Sequence, residues 1–71
     1  MKKIAISTEY ITLGQLLKLA DCIGTGGEAK FFLQETKVLI NGEPDNRRGR
    51  KVVPGDLVEV EGFSPFTVTT R

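Results

Sequence analysis

The sequence predicts an α+β domain in which a helical hairpin packs on a small, mostly antiparallel sheet. Three observations carry that prediction. Apolar residues recur at helical spacing between Leu13 and Leu33, the period shortens after Lys37, and turn signals punctuate the chain from Asn41 onward.

Lys2 to Ser7 alternates weakly and contains Ile4 and Ile6, the pattern of a short strand. Thr12-Leu13-Gly14-Gln15 then has the form of a capping box, a hydroxyl at a helix start with a carboxamide three residues on. Leu13, Leu16, Leu17 and Ala20 fall on one helical stripe, and Gly24 is placed to stop that helix. A second box follows, Thr25-Gly26-Gly27-Glu28, after which Ala29, Phe32 and Leu33 are spaced to face inward. Neither short helix can hide its stripe alone, so the two fold back on each other.

Val38-Leu39-Ile40 is strand-prone, and Asn41-Gly42 is a strong hairpin-turn signal. Pro44 has no N–H to give a ladder, which limits the returning strand to an edge or to an irregular return. Asp45 to Arg50 is polar, holds Gly49 and reads as an exposed loop. Val52-Val53 and Leu57–Val60, separated by a Pro54-Gly55 turn, supply two more extended pieces. Phe66–Val68 gives a last strand, with the N-terminal strand as its candidate neighbour.

The 71 residues are expected to form one domain over 1–71, near the lower size limit for a self-sufficient core. That size leaves little room for a deep pocket and weighs against an enzyme. A lone Cys22 cannot form an internal disulfide. No apolar run approaches the roughly 20 residues that cross a bilayer, and the apolar stretch at the start is too short for a secretory signal. A cytoplasmic monomer without a membrane partner is expected. The chain has no histidine, hence no imidazole base, no triad and no imidazole metal ligand. Cys22 reads as a small core residue rather than a nucleophile, and no two carboxylates stand at a spacing that forces them together. No catalytic residue, metal site or cofactor is expected.

Charge distribution says more than net charge, which is only +1. Four of the five residues from Arg47 to Lys51 are basic (Arg47, Arg48, Arg50 and Lys51), and with Asn46 they form the main candidate for contact with a polyanion. The competing reading is a solvated loop kept soluble by its charge. Gly26 and Gly27 weaken a helix but bare its first N–H groups, where a phosphate can approach without a Cβ in the way. Tight packing of that turn against the first helix explains them equally well. Lys30, one turn further on, would supplement such a site, with Lys37 and Lys18 as weaker candidates. Among the aromatic residues, only Phe31 is considered as a platform for a base, against a place in the core or its rim. Replacing Arg47, Arg48 and Arg50 together is expected to weaken binding and leave stability unchanged.

The order of these pieces resembles the alpha-L, or S4-type, RNA-binding domain of a small-subunit ribosomal protein and several RNA-modifying enzymes. The similarity covers about residues 12–60. It rests on Leu16-Leu17, Glu28-Ala29-Lys30, Ile40-Asn41-Gly42 and Pro54-Gly55-Asp56. More narrowly, Gly26-Gly27-x-Ala29-Lys30 and Asp45 through Lys51 resemble the short stand-alone bacterial members of the YaaA type. The resemblance implies an S4-like fold and binding to structured, ribosomal RNA, with a role in ribosome maturation. Many members carry a basic residue at the positions of Thr12 and Gly26, and often a lysine at that of Val53. Here Gly26-Gly27 and the Arg47–Lys51 cluster are expected to take over those contacts.

Two rival readings come from other classes. A β-grasp carrier module suits the Asn41-Gly42 and Gly55-Asp56 strands, but such carriers act through a terminal Gly-Gly and the chain reads Val68-Thr69-Thr70-Arg71. A protein-interaction adaptor would dock through a sheet edge or through Phe63-Ser64-Pro65-Phe66, which serves equally to cap the core.

Overall fold

A computed structural model describes residues 2–71; Met1, the first position of the domain expected over 1–71, lies outside them. Strand β1 (Lys2–Ile6), strand β2 (Ile11–Thr12) and helix α1 (Leu13–Leu19) lead into a 3-10 turn (Gly26–Glu28) and helix α2 (Ala29–Glu35). Strands β3 (Val38–Ile40), β4 (Glu43–Pro44), β5 (Lys51–Val52), β6 (Leu57–Val60) and β7 (Phe66–Thr70) follow. The main sheet has the order β1-β7-β6-β3-β4. Its pairs are antiparallel except β1 with β7, which run parallel from Lys2↔Phe66 to Ile6↔Thr70. The fold is α+β, two helices against a mostly antiparallel sheet.

One face of the sheet is buried by period-two alternation. Val38 and Ile40, Val58 and Val60, and Phe66 and Val68 point into the core, while Glu59 between two buried valines stays in water. Leu13, Leu16, Leu17, Ala29 and Leu33 cover them from the helices. Each of these side chains but that of Ala29 contributes about 1.5–3 kcal/mol on leaving water. Phe32 is half-buried and packs its ring 6.2 Å from that of Phe63 at 60°. Of the two phenylalanines around Pro65, Phe66 is core and Phe63 remains largely exposed.

The hairpin turn is as the sequence predicts. Asn41 and Gly42 both have positive φ, 53° and 84°, which gives the twist that joins β3 to the edge strand β4. Gly55 at φ 100° lets the Pro54-Gly55 turn close with a bond from the Asp56 amide to the Val53 carbonyl.

Two local expectations need correction. Helix α1 ends at Leu19, well before Gly24: Asp21 takes the left-handed conformation at φ 60°. The Cys22 amide donates to the Leu17 carbonyl and the Asp21 amide to that of Lys18, a Schellman arrangement in which aspartate replaces the usual glycine. A second, two-stranded ribbon, β2 with β5, was also not anticipated: Ile11 pairs with Val52 and Thr12 with Lys51. Two residues are too few to show alternation.

Candidate functional site

Helix α1 opens on Thr12, whose hydroxyl accepts from the Gln15 amide at 3.4 Å and donates to Gln15 Oε1 at 3.1 Å. The next two amides have no partner within the helix. Leu13 donates to the Arg50 carbonyl at 2.8 Å and Gly14 to the Arg48 carbonyl at 2.9 Å. The basic loop is therefore bolted to the start of the first helix by its own backbone. Gly14 makes that possible: a Cβ there would lie 3.3 Å from the Ala29 Cβ and 3.4 Å from the Arg48 oxygen. Both helices and the loop meet at this glycine.

Asp45 shapes the loop from inside. Its Oδ1 accepts from the Arg47 amide at 3.0 Å, and its carboxylate is forked by the Arg47 guanidinium at 3.1 and 2.8 Å. Arg50 Nε lies 3.4 Å from the same carboxylate. The hydrogen bonds from Arg47 are the main reason that the Asp45 carboxyl falls to a pKa of about 2, and the charges of Arg47 and Arg50 add to them against the opposing effect of burial. Arg50 is half-buried, donates to the Lys51 carbonyl at 3.1 Å and stands 3.8 Å from Asp56. Asp56 in turn accepts from the Asn41 carboxamide at 2.9 Å. The Asn41-Gly42 and Pro54-Gly55 turns are thereby joined to the loop.

The Arg50 amide closes a turn onto the Arg47 carbonyl at 3.1 Å, leaving Arg48 and Gly49 at its tip. Arg48 is exposed and, among the described residues, has no carboxylate within ion-pair distance. It lines a hollow of about 290 Å³ with Gly49, Gly26, Gly14, Thr12 and Gln15. Gly26 and Arg48 thus share one concave surface, although 22 positions separate them in the chain.

The other predicted residues disperse. Gly27 and Lys30 are exposed beside Gly26 but do not line the hollow. Lys37, Asn46 and Arg47 line a different concavity of about 670 Å³, shared with Glu35, Asp45 and Glu61, so carboxylates there outnumber cations. Lys51 leans away, its ammonium 4.8 Å from the centre of the Tyr10 ring. The glycines expected in a first α-helical turn form a 3-10 turn instead, with Glu28 Oε1 accepting from the Thr25 amide at 3.1 Å. Phe31, weighed as core or platform, is 67% exposed. Cys22 packs against the core, and burial pushes its thiol pKa up, which makes the thiolate scarcer.

Sequence reasoning names Gly14 in the first capping box and Asp45 in the loop that carries the resemblance but gives neither an organising role, and it does not single out Tyr10. Nothing local marks a glycine in a helical stripe, or an aspartate in a polar loop, as the residue that holds a surface together. Tyr10 had one available signal, as the sole tyrosine in a chain with no tryptophan.

Comparison with known proteins adds two findings. A family model described as the S4 domain matches residues 4–68. A curated protein of Bacillus subtilis (strain 168), named "Probable ribosome maturation protein RlbA", is 66% identical over 65 residues, 92% of this chain and 92% of that one.

Proposed function

The chain belongs to the S4 domain family, and from that premise we propose that it is a non-catalytic RNA-binding protein of ribosome maturation. In this reading it grips a folded ribosomal RNA by phosphates and shape, as a monomeric single domain over 1–71 in the cytoplasm. One observation carries the reading: an unpaired arginine, Arg48, faces the same hollow as Gly26, where no side chain obstructs an approaching strand. The name of the Bacillus subtilis relative supports the ribosomal setting. Among the described residues, no helix is long and apolar enough to cross a membrane.

Arg48 supplies the charge and the planar fork that fits a phosphate. Gly26 and Gly49 let the backbone of the RNA come close, and Gly27 stands just outside that approach. With α2 only seven residues long, its dipole adds little beside that charge. Lys30 extends the positive surface along α2, and Lys51 extends it along β5. Lys37, Asn46 and Arg47 form a weaker second margin because Asp45 already engages Arg47. Arg50 acts as a positioning residue that keeps the loop in shape, so replacing it with Arg47 and Arg48 is expected to cost stability as well as binding.

If about four phosphates are neutralised, the logarithm of affinity for a folded ribosomal RNA fragment falls against the logarithm of salt with a slope of about −3 to −4. Arg48→Ala is expected to reduce that slope by about 1 and leave the melting temperature unchanged. A flat salt dependence, or an R48A variant that binds as well as the parent, defeats the reading.

A further inference from the structure

A second hollow adjoins the first. It measures about 860 Å³ and is lined by Tyr10, Lys18 and Leu19, with Gln15 on the rim that it shares with the Arg48–Gly26 hollow. We infer that this hollow takes an unpaired, amino-bearing nucleobase of the RNA whose backbone crosses the Arg48–Gly26 hollow. The inference rests on the RNA-binding reading above and adds to it the part of the RNA recognised.

Tyr10 is the reason. Its side chain stands outside the core cluster and is 44% exposed, and among the described residues its hydroxyl makes no hydrogen bond. The loop that carries it is held by a bond from the Thr8 hydroxyl to the Tyr10 carbonyl at 2.8 Å. Lys51, paired across the ribbon with Thr12, sets its ammonium 4.8 Å from the ring centroid, so the ring is oriented without being covered by core side chains. Leu19, 55% exposed, gives the same hollow an apolar wall. An oriented aromatic ring, an apolar wall and two lysines form a surface for a flat ring attached to a phosphate.

The charges decide which part of the nucleotide enters. Glu9 and Asp21 line this hollow together with Lys18. Carboxylates repel a phosphate and accept from an amino group, so the base enters and the phosphate stays toward Lys51 and Arg48. Adenine, cytosine and guanine carry an exocyclic amino group. Uracil has no amino group, and its one ring N–H donor is flanked by carbonyl oxygens that a carboxylate repels.

Tyr10 is the sole tyrosine and there is no tryptophan, so intrinsic emission excited in the tyrosine band reports on this hollow alone. The experiment titrates the whole chain with a short blunt RNA duplex and with the same duplex bearing an oligocytidylate or an oligouridylate tail, at matched absorbance. The cytidylate tail is expected to quench the emission and to tighten binding roughly tenfold over the blunt duplex, as stacking of one base would. The uridylate tail should gain less. Tyr10→Phe should keep the tenfold gain and Tyr10→Leu should lose it, with the blunt duplex bound equally by both variants and by the parent. Tails that bind and quench no better than the blunt duplex overturn the inference and leave the phosphate reading standing. Equal gains from the two tails overturn the amino-edge assignment. If no RNA binds and the emission never changes, both readings fail together, the result expected of a surface that docks protein.

Discussion

The two helix starts have the same kind of sequence and opposite fates. Thr12-Leu13-Gly14-Gln15 and Thr25-Gly26-Gly27-Glu28 are both capping boxes containing glycine, 13 positions apart. At the first, the free amides of Leu13 and Gly14 are taken by carbonyls of the basic loop, and the glycine lies buried among Ala29 and Arg48 atoms. At the second, every residue of the turn is exposed, and a Cβ on Gly26 would meet nothing within 4 Å. Unsatisfied helix-start amides are a resource that is used once. The first helix spends them on holding the loop, and the loop so held brings Arg48 over to the second start, which stays open. Glycine is needed at the first for proximity of protein to protein, and in our reading at the second for proximity of protein to RNA.

The largest effect should come from filling the closed start. Gly14→Val pushes two methyl groups into a space where even one carbon is tight, and overpacking of this kind costs about 1–3 kcal/mol. Urea unfolding should show the loss, and RNA binding should weaken further than stability alone explains because the loop leaves its dock. A Gly14→Val protein as stable as the parent would mean that the loop does not rest on this glycine.

The next effect tests the loop's internal clamp. Asp45 ionises more readily in the folded chain, where its pKa falls from 3.8 to about 2, so the stability that it contributes is complete above pH 3.8 and is lost as the pH drops toward 2. Because the guanidinium of Arg47 faces water, that contribution is about 1 kcal/mol. Melting curves of the parent and of Asp45→Asn should differ at neutral pH and converge through that acid window. Parallel curves would show that the carboxylate is not the clamp. Arg50→Ala should cost a similar amount, since it removes a half-buried donor to the Lys51 carbonyl along with two ion pairs. Arg47→Ala should remove most of what Asp45 contributes, because the Arg47 guanidinium makes the largest of the bonds that favour the ionised carboxylate.

The sequence was informative where a local pattern decides structure. The alternation of β6, the leucine stripe of α1 and the Asn41-Gly42 turn each depend on residues within a few positions of one another, and each is observed. Even the edge position of Pro44 follows from its missing N–H. The helix stop was misread because glycine and aspartate compete for the left-handed position, and the bonds of Cys22 and Asp21 back to the helix favoured Asp21. The candidate surface was less legible for a related reason. Arg47, Arg48, Arg50 and Lys51 look equivalent in a row, yet Asp45 engages two of them, Tyr10 draws a third, and only Arg48 turns toward Gly26. Which cation remains free depends on partners as distant as Asp56 and Tyr10, and no count of charges within a window reveals it.

The smallest effect on stability separates the two helix starts most sharply. Gly26→Ala has open space around the new methyl, and Gly27→Ala meets only the Thr25 hydroxyl at 3.9 Å. Neither glycine has a positive φ, so alanine fits the backbone as it stands. Each change should therefore stabilise the fold by roughly 0.4–1 kcal/mol, chiefly by restricting the unfolded chain. Binding should move the other way at Gly26, where the methyl would stand in the hollow that Arg48 faces, and hardly at all at Gly27, which lies outside it. A Gly26→Ala protein that is both more stable and fully competent for RNA would show that the hollow admits no phosphate. One that melts higher and binds several-fold more weakly would mean that the glycine is kept there at the expense of stability, the reverse of its role at position 14.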